Sequence, residues 1–123
     1  YQRGQGWLDR GDFDEAVKDF TACVRLNPRD AAAYACRGGA WYAKNDLDRA
    51  LADYDEAVRL DPDGATALVS RGNVWQRKGN LDRALADYHE ALEIEPGNAV
   101  ALQTRAGAWQ RKGNFDRALK DYD

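Results

Sequence analysis

Three prolines, Pro28, Pro62 and Pro96, stand 34 residues apart. Tryptophans keep the same interval at Trp7, Trp41, Trp75 and Trp109. So do the alanines Ala16, Ala50, Ala84 and Ala118 and the aromatics Phe20, Tyr54, Tyr88 and Tyr122. A fixed period of this size marks a stack in which one supersecondary unit is copied and each copy leans on the next. Such an array buries a continuous strip rather than one globular core. The functional question then becomes which partner lies along the stack.

One unit, Ala31 to Gly64, shows what is copied. Tyr34, Arg37, Gly38, Trp41 and Tyr42 recur at three and four, the helical spacing. Asn45 interrupts them, in a column that also holds Gly11, Gly79 and Gly113. Gly or Asn just past a helix end adopts the left-handed conformation at little cost. Asp46 follows as a cap for a second helix, with Asp12, Asn80 and Asn114 in its column. That helix carries Leu47, Ala50, Leu51, Tyr54, Ala57, Val58 and Leu60 on one stripe and ends before Pro62. The pattern predicts helices over about 2–10 and 13–26, 31–44 and 47–60, 65–78 and 81–94, 99–112 and 115–123. The chain reads as one all-α array over 1–123, with repeats at about 1–30, 31–64, 65–98 and 99–123. Gly4, Gly38 and Gly72 lie mid-helix, where glycine costs about 1 kcal/mol against Ala. Two helices that must approach closely justify it. The fourth unit has Ala106-Gly107 there instead, and a looser contact is expected.

The pattern resembles the tetratricopeptide repeat family. The matching columns read Gly72, Trp75, Gly79, Ala84, Tyr88, Ala91 and Pro96, and the resemblance runs the length of the chain. It implies a right-handed superhelical solenoid of antiparallel helix pairs. It also implies a groove lined by the first helices, in which a peptide or helix of another protein binds. Pentatricopeptide arrays bind RNA and look similar, but their period is 35, and the proline spacing disfavours them.

One departure stands out. Arg3, Arg37, Arg71 and Arg105 precede the glycine column, where the family more often has a Leu facing the partner helix. Each unit also has an acid before its second-helix aromatic: Asp19, Asp53, Asp87 and Asp121. An inward-leaning charge is costly unless paired and hydrogen-bonded. The planar fork of Arg holds a carboxylate by two bonds. Two readings follow, a ligand clamp or a structural ion pair repeated in every unit, and the strict co-occurrence favours the pair. Arg49 and Arg83 compete for the same carboxylates, whereas repeat one has Glu15 in that column.

The remaining chemistry is sparse. A net charge of −3 lacks the basic excess that phosphate neutralisation demands, so no nucleic-acid partner is expected. No apolar run reaches the roughly 18 residues of a membrane span, and no membrane partner is expected. Cys23 and Cys36 read as free thiols in small-residue columns, the alternative being a bridge between the first two units. His89 stands alone on a second helix, and Ser70 has no His in its pattern. No metal, cofactor or catalytic set is expected.

Solvent-facing positions of the first helices should read the partner: Gln5, Leu8, Asp9, Tyr42, Val69, Asn73, Gln76, Arg77, Gln103, Gln110 and Arg111 among them. Toward the helix ends this surface turns amide-rich and basic, most clearly in Trp-Gln-Arg-Lys-Gly-Asn at 75–80 and 109–114. Cations there suit the helix dipole, or they attract an acidic segment or a C-terminal carboxylate. Some members of the family hold chaperone C-termini with a Lys, Asn, Asn, Lys, Arg clamp. The corresponding columns here read Tyr1, Gln5, Cys36, Thr66 and Ser70, or Ala35, Gly39, Ser70, Val100 and Thr104, and neither set matches. Rival roles are a docking array attached to a catalytic domain, an RNA-binding helical array, and a spacer. The chain opens at Tyr1, inside a repeat, so a longer parent is expected. Leu119 and Tyr122 should leave an apolar end face, giving end-to-end self-association.

Overall fold

The computed structural model describes the backbone of residues 10–121 and the side chains of residues 12–113. It forms two compact units, Tyr1–Pro62 and Asp63–Asp123. The first holds α1 (Arg10–Leu26), α2 (Ala31–Ala43) and α3 (Leu47–Leu60). The second holds α4 (Ala65–Arg77), α5 (Leu81–Ile94) and α6 (Ala99–Asp121). Among the described residues there is no strand, and α2–α3 and α4–α5 are antiparallel hairpins packed along their length.

The same turn makes both hairpins. In the first, the Asn45 N–H donates to Tyr42 C=O (2.9 Å) and the Asp46 N–H to Trp41 C=O (2.9 Å). In the second, Gly79 donates to Gln76 (3.0 Å) and Asn80 to Trp75 (2.9 Å). This double bond pattern is the Schellman motif, and it needs a left-handed residue, met by Asn45 (φ 65°) and Gly79 (φ 88°). Asp46 and Asn80 then cap the next helix at once, accepting from the Arg49 N–H (3.3 Å) and the Arg83 N–H (3.1 Å). The turn contains no spare residue. Asp30 and Asn98 cap α2 and α6 in the same way, accepting from the Ala33 and Ala101 N–H groups. α3 and α5 stop at Asp61 and Glu95, immediately before proline.

The mid-helix glycines serve close approach. A methyl group at Gly38 would lie 3.1 Å from the Tyr54 ring, and one at Gly72 only 2.6 Å from Tyr88 Cε1. Ala50, Ala57, Ala84 and Ala91 are fully or almost fully buried on the second helices, as is Tyr88. Small residues on the facing helices make room for the aromatic ring between them.

The last helix differs from the expected hairpin. α6 is continuous from Ala99 to Asp121 and passes straight through Gly113 and Asn114, where a turn was expected. Glycine takes helical φ as readily as left-handed φ, and an unbroken helix avoids nucleating a second one. Ala106, moreover, occupies the glycine column, so a hairpin here would press its methyl group into an aromatic ring. α1 likewise starts at Arg10 rather than 13 and includes Gly11, with Asp12 in its first turn, where the dipole favours an acid. Residues 2–9, with Gly4 and Trp7, lie outside the described residues.

Gly72→Ala should lose about 1–3 kcal/mol through overpacking against Tyr88, partly offset by a helix-propensity gain of up to about 1 kcal/mol. Gly38→Ala, with more room, should lose less. Urea unfolding followed by circular dichroism checks both, and a stabilised Gly72→Ala would contradict the close-approach account.

Candidate functional site

The repeated Arg and Asp meet across each complete hairpin. Arg37 grips Asp53 with two bonds, Nε to Oδ2 and Nη2 to Oδ1, both 2.8 Å. Arg71 grips Asp87 at 3.0 and 2.8 Å through the same atoms. Both aspartates are buried, 6% and 5% exposed, while each guanidinium keeps a partly open edge. Arg37 also donates from Nη1 to Thr21 Oγ1 (3.3 Å), which ties α2 to α1. The bond to Asp53 raises the Arg37 pKa above its ordinary value, against the opposing effect of burial, so the guanidinium stays charged. The fork of each arginine is therefore occupied by the protein's own carboxylate. Arg3 and the side chain of Asp121 lie outside the described residues, so the Arg3–Asp19 and Arg105–Asp121 columns are not described as pairs. Asp19 is exposed and Arg105 half-buried.

Arg49 does something else. Its guanidinium lies 4.8 Å from the centroid of the Trp41 ring and 3.6 Å from Asp46. Arg83 repeats the arrangement over Trp75 at 4.8 Å. These cation–π stacks seal the turn, and each contributes about 0.5–1 kcal/mol at an exposed site. The sequence carries a signal for them, an Arg eight residues after Trp in both hairpins, although Asp53 stands one helical turn from Arg49 as a rival partner. Two further links were also missed. Lys44 pairs with Asp14, and Lys112 with Asp82 (2.5 Å), each spanning 30 residues. Lys112 thus joins α6 to α5, and with α6 running on to Asp121 it does not stand in a last helical turn.

The first-helix surface is best developed in the second unit. Tyr88 donates its hydroxyl proton to Asn73 Oδ1 (2.5 Å) and accepts from Gln76 Nε2 (2.9 Å). Gln76 in turn accepts from Arg111 Nη1 (2.8 Å), which bridges α4 to α6. Asn73, Gln76 and Arg111 thus form one polar chain anchored on a buried tyrosine. Arg77, Gln103, Gln110 and Arg111 are exposed. Val69 is not solvent-facing, as its column suggested; it is 5% exposed. It belongs to the apolar stripe Ala65, Leu68, Val69, Gly72, whose spacing of three and four puts all four on one face. In the first unit, Tyr42 is half-buried on α2 in the Gln76 column. Gln5, Leu8 and Asp9 lie outside the described residues. Cys23 and Cys36 are free and exposed. Among the described residues no group of His, Cys, Asp or Glu is arranged to hold a metal. No helix there is long and apolar enough to cross a membrane.

A tetratricopeptide repeat model matches residues 1–65 and 42–99 of the chain. No curated protein matches it. Among solved structures it is similar to the first TPR domain of Spaghetti (RPAP3) bound to the HSP90 peptide SRMEEVD. The two are 25% identical with a TM-score of 0.80, over 91% of this chain and 89% of that one. It is similar to the Arabidopsis OM64 TPR domain at 25% identity and a TM-score of 0.78, over 82% and 84%. It is also similar to YrrB, described as a TPR protein with an unusual peptide-binding site. That match has 26% identity and a TM-score of 0.74, over 78% of this chain and 50% of that one.

Removing one partner of a buried ion pair leaves an uncompensated charge. Arg71→Ala should cost about 3 kcal/mol, the low end for a buried pair because the guanidinium is partly open. Arg71→Met with Asp87→Leu should recover most of that loss. Chemical denaturation of the two variants checks this, and a loss under about 1 kcal/mol for Arg71→Ala would mark the pair as a surface one.

Proposed function

This chain belongs to the tetratricopeptide repeat family, and from that premise we propose that it is an interaction scaffold. Its partner is a peptide or helix of another protein, received on the first helices. The observation that carries the reading is the likeness to a domain of the same fold bound to a peptide, at a TM-score of 0.80 over 91% of this chain. On the second unit the receiving surface is the α4–α6 face. Its polar chain of Asn73, Gln76 and Arg111 offers amide donors and acceptors held in place by the Tyr88 hydroxyl. Side chains fixed in this way lose little rotamer freedom when a ligand arrives. Arg77 at the end of α4 and Arg111 along α6 add positive charge, which favours an acidic segment. Tyr42 supplies an aromatic surface on the first unit. The clamp columns of chaperone-binding members are not reproduced in this chain, so the peptide it takes differs in chemistry from a chaperone C-terminus.

Affinity capture with the chain, read by mass spectrometry, identifies the partner, and the captured segment is then titrated as a synthetic peptide. Arg77→Glu with Arg111→Glu should weaken that titration on the order of tenfold or more, most strongly at low salt. Helicity by circular dichroism should not change. Unaltered affinity in the double variant would remove the basic edge from the reading.

A further inference from the structure

The bonds that join Arg111, Gln76, Tyr88 and Asn73 all run one way. Arg111 Nη1 donates to Gln76 Oε1 (2.8 Å), Gln76 Nε2 donates to the Tyr88 hydroxyl (2.9 Å), and that hydroxyl donates to Asn73 Oδ1 (2.5 Å). The direction is forced from one end. A guanidinium carries donors and no acceptor. Gln76 must therefore turn its carbonyl oxygen to Arg111, which leaves its N–H2 toward Tyr88. An amide N–H2 can only donate, so the tyrosine oxygen accepts there and the hydroxyl proton goes to Asn73. Asn73 then meets the tyrosine with its oxygen, and its own N–H2 faces away from the buried ring.

The reverse order fails at the cation. A flipped Asn73 would set its N–H2 against the Tyr88 proton. Turning that proton to Gln76 would require Gln76 to flip as well, and its N–H2 would then confront Arg111. Tyr88 is fully buried, and a mismatched polar pair costs most where the local dielectric is low. Donors aligned head to tail also strengthen one another. Asn73 Nδ2 thus ends a chain that begins on a positive charge.

The first unit has no counterpart. Gly39 and Tyr42 stand in the columns of Asn73 and Gln76. Tyr54 and Tyr88 share a column, so the ring is common to both units, but the amides that meet the Tyr88 hydroxyl belong to the second alone.

We propose that Tyr88 is a specificity-determining residue of the α4–α6 face. Its hydroxyl, oriented by Arg111 through Gln76, holds Asn73 with its N–H2 outward, and the face selects a carboxylate over a neutral amide of the same shape. This rests on the reading of that face as the receiving surface. A carboxylate accepts at both oxygens and donates nothing, whereas a primary amide brings an N–H2 of its own to a site that offers N–H2. Arg77 and Arg111 attract any anion over a distance that salt shortens. Asn73 sorts acceptors from donors on contact, and the tyrosine sets which of the two it accepts.

Acetate and acetamide, isosteres that differ in this one group, test the selection without a captured partner. Each is titrated at constant ionic strength into the isotope-labelled 123-residue chain, and the side-chain N–H2 resonances of Asn73 are followed by nuclear magnetic resonance. Acetate should move them and acetamide should move them little. Tyr88→Phe, a side chain that the same column already holds at Phe20, should lower the preference for acetate on the order of fivefold, the loss of one held rotamer. Arg111→Lys, whose ammonium also only donates, should keep the preference, and Arg111→Met should lose it. Arg111 is exposed, so these two variants decide the matter should Tyr88→Phe fail to fold. Tyr54→Phe should respond like the wild type. Equal responses to the two probes overturn the proposal, as does a preference that survives Tyr88→Phe or Arg111→Met. A captured peptide without this preference at Asn73 removes the inference and leaves the scaffold reading standing. The preference without any captured peptide does the reverse.

Discussion

Everything in the two complete hairpins depends on how closely an aromatic ring can approach a helix backbone. The Tyr54 ring leaves too little room for an ordinary side chain at Gly38, and Tyr88 leaves still less at Gly72. That closeness brings Arg37 to Asp53 and Arg71 to Asp87 within two-bond reach, and a long cationic side chain over each tryptophan. At greater separation the buried carboxylates would be stranded, at a cost no surface ion pair repays. The glycines contribute by having no side chain, and the charge pairs then exploit the space.

Local rules and tertiary contacts agree at nearly every position of these hairpins, the condition for a sequence to specify one structure. The left-handed residue, the capping acid or amide, the small columns and the ring all favour the same crossing. Where one member of the set changes, the outcome changes. Ala106 replaces glycine, and the same hexapeptide that turns at Gly79 continues as helix at Gly113. A turn motif proposes a hairpin, and packing across the crossing decides whether it forms.

The period made most of the fold legible. Both α3 and α5 have the bounds that the stripe and the prolines imply, because proline and the capping residues act on the backbone locally. The straight course of α6 was not legible. Gly113 fits either conformation, so the turn column alone does not decide between a hairpin and a continuous helix. Val69 was misplaced because its stripe neighbours Leu68 and Gly72 fix its face more firmly than its own column does. The polar chain from Asn73 through Tyr88 and Gln76 to Arg111 joins three helices. Its members were legible as exposed amides and a cation, but not as a connected set, since the buried hydroxyl that links them reads in sequence only as a core aromatic.

The turn with no spare residue has a consequence for how such a chain can change its length. Asp46 closes one helix and caps the next, as Asn80 does. An insertion of a single residue there would rotate the following helix by about 100° around its axis. Ring, carboxylate and alanine column would all leave the interface together. The links after Pro62 and Pro96 make no such double use of one residue. Length variation should therefore concentrate between helix pairs and be absent within them. A graft or an evolutionary insertion that respects this boundary keeps every hairpin whole, and one that ignores it loses the hairpin as a unit.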